Sequence, residues 1–136
     1  FRLHSQLNSS LIRNYAEIAG REPALISPAT AKARGIKTGD VVRIYNDRGE
    51  ILCGALVSDT AQDNVVIVSE GAWYDPAVWG ERSLCKHGNI NVLTRDVPSS
   101  QLSQSNTAHT SMVQIEKFKG ELPSVTAFGR PATIEA

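Results

Sequence analysis

Three closely spaced apolar runs between residues 41 and 68 constrain this chain more than any other feature. Val41-Val42-Arg43-Ile44-Tyr45 is β-branched and aromatic, Asn46-Asp47-Arg48-Gly49 has turn composition, and Ile51 to Val57 returns. Side chains branched at Cβ fit a pleated surface better than a helix, so the two flanking runs read as strands. Gly49 is free to take a positive φ in the turn. Gly54, in the middle of the returning run, predicts a bulge or a close backbone approach. Asn64 then leads into Val65-Val66-Ile67-Val68, an unbroken apolar run that predicts a buried strand. Met112 to Phe118 alternates apolar and polar residues around Val113 and Ile115 and reads as a last strand. Strands at this spacing, joined by tight turns, point to a mostly β domain and a small closed barrel.

Helices are few. Ser27 can cap, Pro28 suits a first helical position, ATAKAR follows, and Gly35 supplies a left-handed stop, which predicts a helix near 28–34. A second short helix is expected around Leu11 to Ala19. Ile36 to Asp40 turns the chain into the first strand. From Glu70 to Ser105 the sequence is rich in Gly, Asn, Ser, Pro and Asp and carries both tryptophans, with only Ile90 to Leu93 reading as a short strand. Loops this long in a compact domain are usually functional. The tail from Lys119 is expected to be irregular.

The chain's 136 residues suit one domain spanning 1–136. Its 14 basic and 14 acidic side chains cancel, which argues against binding nucleic acid through a run of phosphates. No apolar run approaches the roughly 20 residues of a membrane span, and no signal peptide is visible. Phe1 opens directly into a polar motif, which reads as a segment of a longer chain. Cys53 and Cys85 are too few for a disulfide scaffold. Cys85-Lys86-His87 lacks the four ligands of a usual zinc site, so no metal is expected to be held directly by this chain.

No catalytic constellation stands out. His4 and Ser5 are adjacent, a poor geometry for a nucleophile and its base, and Asp59, Asp63 and Asp75 read as turn residues. What remains is a dense supply of amides and hydroxyls in two places, RLHSQ at residues 2–6 and HGNINVLT at 87–94 with PSSQLSQ at 98–104. Such groups suit a neutral ligand with many donors and acceptors, or simple loop solvation. Trp73 and Tyr74 in GAWYDP can wall a pocket or plug a core beneath the long loop, and the plug is the favoured reading.

RLHSQL, AGREPALISP, ARGIKTGDVVRIYNDRGE, EGAWYDP, HGNINVLT and VQIEKF occur in this order along the chain. Together they resemble the C-terminal domain of the dimethyl sulfoxide, trimethylamine N-oxide and biotin sulfoxide reductases, most closely the trimethylamine N-oxide group. The resemblance implies a six-stranded double-psi β-barrel, like that of aspartate decarboxylase. It implies a bis(molybdopterin guanine dinucleotide) molybdenum cofactor, whose metal is held by the dithiolenes and by a side chain from another domain. It places cofactor contacts on Arg2, Leu3, His4, Ser5 and Gln6, and on Asn91, Ser100 and Gln104. Relatives often carry Gly-Thr-Ser where Pro98-Ser99-Ser100 stands, and Gly where Ser105 stands. The implied partners are the remaining domains of the enzyme, an electron donor such as a c-type cytochrome, and a small N-oxide or S-oxide. The implied location is periplasmic, or cytoplasmic for a biotin sulfoxide reductase. The alternatives are a stand-alone β-barrel binding module without redox activity and a small self-contained enzyme on the same barrel.

Overall fold

The computed structural model describes residues 15–81, 83–105, 107 and 111–129. Five strands form one sheet: β1 (Pro23–Ile26), β2 (Val41–Tyr45), β3 (Glu50–Val57), β4 (Val66–Val68) and β5 (Gln114–Lys117), in the order β4-β1-β3-β2-β5. The β2–β3 hairpin, the strand near 64–69 and the last strand are those the apolar runs predict. Strand β1 is an addition. It is only four residues long, begins with Pro23, and runs parallel to β3, with Pro23 opposite Gly54 and Ile26 opposite Val57. The other pairings are antiparallel.

Helix α1 (Pro28–Arg34) joins β1 to β2, and the β2–β3 hairpin then brings β3 back parallel to β1. The Ser27 side chain accepts from Thr30 N at 3.1 Å and Gly35 closes the helix at φ 64°, as the residue types require. Ser27 Oγ also donates to Asp63 Oδ1 at 2.6 Å, so Asp63 anchors this cap rather than merely turning the chain. Of the helix expected over 11–19, residues 11–14 lie outside the described residues; Tyr15 and Ala16 are helical and the helix does not continue.

Gly54 makes a close approach and no bulge. The β2–β3 register runs unbroken up to it and the β1–β3 register starts from it, and a Cβ there would lie 2.2 Å from the Ile18 carbonyl oxygen. Strand β4 corrects the reading of Val65–Val68 as buried. Among the described residues it is a sheet edge, pairing with β1 alone, and Ile67 remains 42% exposed. The core lies on β1, β2 and β3, where Ala24, Ile26, Val42, Ile44, Ile51 and Cys53 are at most 1% exposed.

Beside the first half of β3, the long loop continues the sheet. Leu52 N donates to Cys85 O at 2.9 Å and Cys85 N donates to Glu50 O at 3.0 Å. The residues beyond Cys85 are therefore held against the β2–β3 hairpin, and residues 90–93 lie at its turn end.

Candidate functional site

At that end the chain makes a single 3₁₀ turn, Ile90–Val92, where a short strand is the expectation from Ile90 to Leu93. Asn89 decides the outcome. Its side chain accepts from Asn91 N at 2.9 Å, a local bond that competes with any ladder. Leu93 then drops into the core, fully buried. The turn is tied to the β2–β3 turn beneath it. Asn46 Nδ2 and Arg48 Nε both donate to the Leu93 carbonyl at 2.9 Å, and Asn46 Nδ2 also donates to Met112 O at 3.2 Å. Gly49 does not take the positive φ expected of it. It is glycine for lack of room, since a Cβ would lie 2.5 Å from Val92 Cγ1.

A cleft of about 540 Å³ opens over this junction. Arg48 lines it from the hairpin, Tyr74 and Ser83 from the long loop, and Asn89, Asn91, Thr94 and Asp96 from the 3₁₀ segment. The favoured reading of Trp73 and Tyr74 as a core plug is incorrect. They are 54% and 43% exposed, and Tyr74 walls the cleft. The buried members of that hexapeptide are Ala72, Asp75 and Pro76.

Of the predicted site residues, Asn91 lies in the cleft. Its backbone is fully engaged by Asn89 and Thr94, but its side-chain amide makes no hydrogen bond among the described residues. Ser100 and Gln104 lie in the following loop, outside the residues that line the cleft. Ser100 Oγ accepts from Ser103 N at 2.8 Å, and Gln104 Nε2 donates to Gln101 O at 3.2 Å, so both are exposed and turned onto their own loop. Arg2, Leu3, His4, Ser5 and Gln6 lie outside the described residues.

Asp75, next in sequence to Tyr74, anchors a buried polar node. Asp75, 2% exposed, accepts from Thr126 N at 2.7 Å and from Thr126 Oγ1 at 2.6 Å, and pairs with Lys86 Nζ at 3.2 Å. Burial alone would raise the Asp75 pKa, but the Thr126 and Lys86 hydrogen bonds outweigh it and hold the carboxyl below its ordinary value. Arg21 donates to Pro123 O at 2.7 Å, and burial lowers its pKa. His87 Nε2 lies 2.9 Å from Glu17 Oε1, while the Phe128 ring stands edge-on to the imidazole with centroids 5.0 Å apart. These contacts strap residues 119–129 across the loop that leads to Asn91. Asp75 is thus the node's central acceptor, which corrects its reading as a turn residue.

Gly88, at φ 96°, passes so close that a Cβ would lie 2.8 Å from Glu22 Cβ and 3.1 Å from Cys53 Sγ. Both cysteines are free thiols, and burial pushes the Cys53 thiol well up. Among the described residues no three His, Cys, Asp or Glu side chains are grouped to hold a metal ion, and no helix is long and apolar enough to cross a membrane.

Residues 1–112 match the family described as "Molydopterin dinucleotide binding domain". Trimethylamine-N-oxide reductase of Salmonella typhi is 51% identical over 138 aligned residues, covering 100% of this chain and 16% of the relative. The enzyme of the same name from Haemophilus influenzae is 48% identical over 136 residues, covering 98% of this chain and 16% of that relative. The chain therefore spans a small part of the length of the curated relatives it matches. Acetylene hydratase from Pelobacter acetylenicus aligns in structure with a TM-score of 0.62 over 82% of this chain and 16% of its own, at 14% identity, a likeness of fold.

Proposed function

The chain belongs to the molybdopterin dinucleotide-binding domain family, and from that premise we propose that it is the cofactor-clasping part of a molybdenum oxidoreductase that reduces N-oxides or S-oxides, trimethylamine N-oxide foremost. The observation that carries the reading is Asn91. Its amide offers donors and an acceptor to a cleft and has no internal partner among the described residues. The donor set fits such a cofactor. Pterin and guanine rings present flat rows of donors and acceptors, matched by neutral amides and hydroxyls, and Asn91 and Tyr74 supply these, beside the Ser83 and Thr94 hydroxyls, which already donate to Val78 O and Asn91 O.

In this reading Arg2, Leu3, His4, Ser5 and Gln6 form the first contact loop, and Asn91, Ser100 and Gln104 the second. Ser100 and Gln104 must then leave the internal bonds of their loop, which are weak and exposed, when a ligand is held. When bound, bis(molybdopterin guanine dinucleotide) molybdenum supplies the oxygen-atom and electron-transfer chemistry. This chain orients the organic part of the cofactor and keeps water from it. The metal's protein ligand, the electron donor (a c-type cytochrome in the resemblance) and the oxide site belong to other domains or partners. Trp79, Leu102 and Met112, 77%, 99% and 83% exposed, are apolar side chains left for those domains to cover. Closure of the sheet into a six-stranded double-psi barrel and a periplasmic location belong to the same reading.

Asn91→Leu in the full-length enzyme removes the donor and acceptor at similar size. A polar partner left unpaired costs about 1–3 kcal/mol. Molybdenum per polypeptide should fall while circular dichroism stays that of the parent, and His4→Ala should act in the same direction. Full molybdenum loading in both variants would defeat the assignment.

A further inference from the structure

We infer that Arg48, in the β2–β3 turn, is a further cofactor-binding residue, tying the Asn91 turn in place and presenting a cation to the diphosphate of a dinucleotide. The inference rests on the cofactor reading above.

Arg48 is the one cation among the described residues lining the cleft, and Asp96 the one anion, so an anionic group in that space is drawn toward Arg48. The side chain is 22% exposed, sheltered enough to be held in one place and open enough to meet a ligand. Its donors are divided. Nε is spent on the Leu93 carbonyl at 2.9 Å. Nη1 pairs with Asp47 Oδ1 at 3.0 Å, but that carboxylate is 83% exposed, so the pair is screened by solvent and readily exchanged. Nη2 has no partner among the described residues. A guanidinium held at Nε with its two outer nitrogens available is the fork that binds phosphate oxygens two at a time.

The fold supports this placement independently. Asn46 Oδ1 accepts from Arg48 N at 2.9 Å, and Asn46 Nδ2 donates to the same Leu93 carbonyl that Arg48 holds. The β2–β3 turn therefore fixes Arg48 and Asn91 relative to each other. One structural element presents both a neutral amide for a ring edge and a cation for a phosphate.

A tie without ligand contact and a tie with ligand contact respond differently to substitution. Arg48→Lys keeps the charge and loses the fork, whereas Arg48→Gln loses the charge. In both, Asn46 still holds Leu93 O, so the turn keeps one of its two anchors. In the purified full-length enzyme, molybdenum and acid-released guanosine monophosphate are counted per polypeptide, and their first-order loss is followed on dialysis. Thermal melting by circular dichroism runs alongside.

The expected result is loss roughly 30-fold faster in Arg48→Gln, the factor carried by a lost hydrogen bond to a charged group. Arg48→Lys should lie between Arg48→Gln and the parent, with melting the same in the two variants, since both lose the Nε tie to Leu93 O. Equal loss rates for the Lys and Gln variants would overturn the inference, as would loss that tracks a lowered melting temperature. If Asn91→Leu sheds cofactor while Arg48→Gln retains it, only the role of Arg48 fails. If the parent enzyme carries neither molybdenum nor guanosine monophosphate, the cofactor reading itself fails.

Discussion

Asp75→Asn tests the node that straps the C-terminal segment over the loop bearing Asn91. In the parent, Oδ2 accepts from Thr126 N at 2.7 Å, while Oδ1 accepts from Thr126 Oγ1 at 2.6 Å and faces Lys86 Nζ at 3.2 Å. An asparagine keeps the shape but cannot satisfy both sides. With its NH₂ toward Thr126 N, two donors face each other. Turned the other way, the NH₂ meets the Lys86 ammonium, whose side chain is 10% exposed and has Thr126 Oγ1 as its other partner, at 2.8 Å. The loss of one hydrogen bond to a charged group costs about 2 kcal/mol, the middle of the usual range. Thr126 is itself exposed, so a figure near 5 kcal/mol for a fully buried broken pair does not apply here. About 2 kcal/mol is a roughly 30-fold change in the opening equilibrium of the strap. Amide exchange at Thr126 should therefore quicken by roughly that factor, and chymotryptic cleavage near Phe128 should quicken with it. Asp40→Asn is the control, since its pair with Lys117 at 2.7 Å lies at the surface and should leave Thr126 untouched. Unchanged exchange at Thr126 in Asp75→Asn, or the same change in the control, would refute the reasoning.

Gly54→Ala should lower stability by about 1–3 kcal/mol, read as a lower urea midpoint, because its Cβ would overlap the Ile18 backbone rather than a side chain that can turn aside. The pH dependence follows from Asp75 and Asp40, both held below the ordinary carboxyl value. For Asp75, burial opposes the shift and the Thr126 and Lys86 bonds produce it; for Asp40, the Lys117 hydrogen bond leads. A depressed folded-state pKa adds stability that is complete above the unfolded value, near 3.9, and disappears as pH falls through the folded value. Unfolding midpoints should therefore drop below about pH 4. Asp75→Asn should flatten that drop more than Asp40→Asn, whose exposed pair is screened.

The β2–β3 hairpin, helix α1 and β5 could be read along the chain because their signals are local. Ser27, Pro28 and Gly35 bracket α1, and the alternation about Ile115 marks β5. Strand β1 could not be read this way. Four residues beginning with proline carry little strand signal, and the partners that make them a strand stand some thirty residues later, at Gly54 to Val57. Val65 to Val68 misled for the converse reason. An apolar run declares that a strand is present, but not whether it has one neighbour or two, and among the described residues β4 has one. At Ile90 to Leu93 a β-branched run gave way to a 3₁₀ turn because the Asn89 side chain and the two donors on Leu93 O satisfy its backbone without a partner strand.

The candidate site divides along the same line. Asn91 could be singled out because it sits in a recognisable ordered set of motifs, although composition alone allowed simple solvation of its loop. Arg48 sits in a four-residue turn whose composition fully explains itself, so nothing in the local sequence asks for a second role. Asp75 read as a turn residue for the same reason, since its donor lies 51 positions further on. Both residues draw their meaning from where the hairpin end and the C-terminal strap are brought together. At that junction the fold places two fixed supports under one mobile requirement. The Asn46–Arg48 turn holds the Leu93 carbonyl on one side, and the Asp75–Thr126 node holds the loop through Lys86 on the other. Asn91 is left as the group between them with its side chain uncommitted among the described residues, which is the arrangement that a ligand with a polar edge requires.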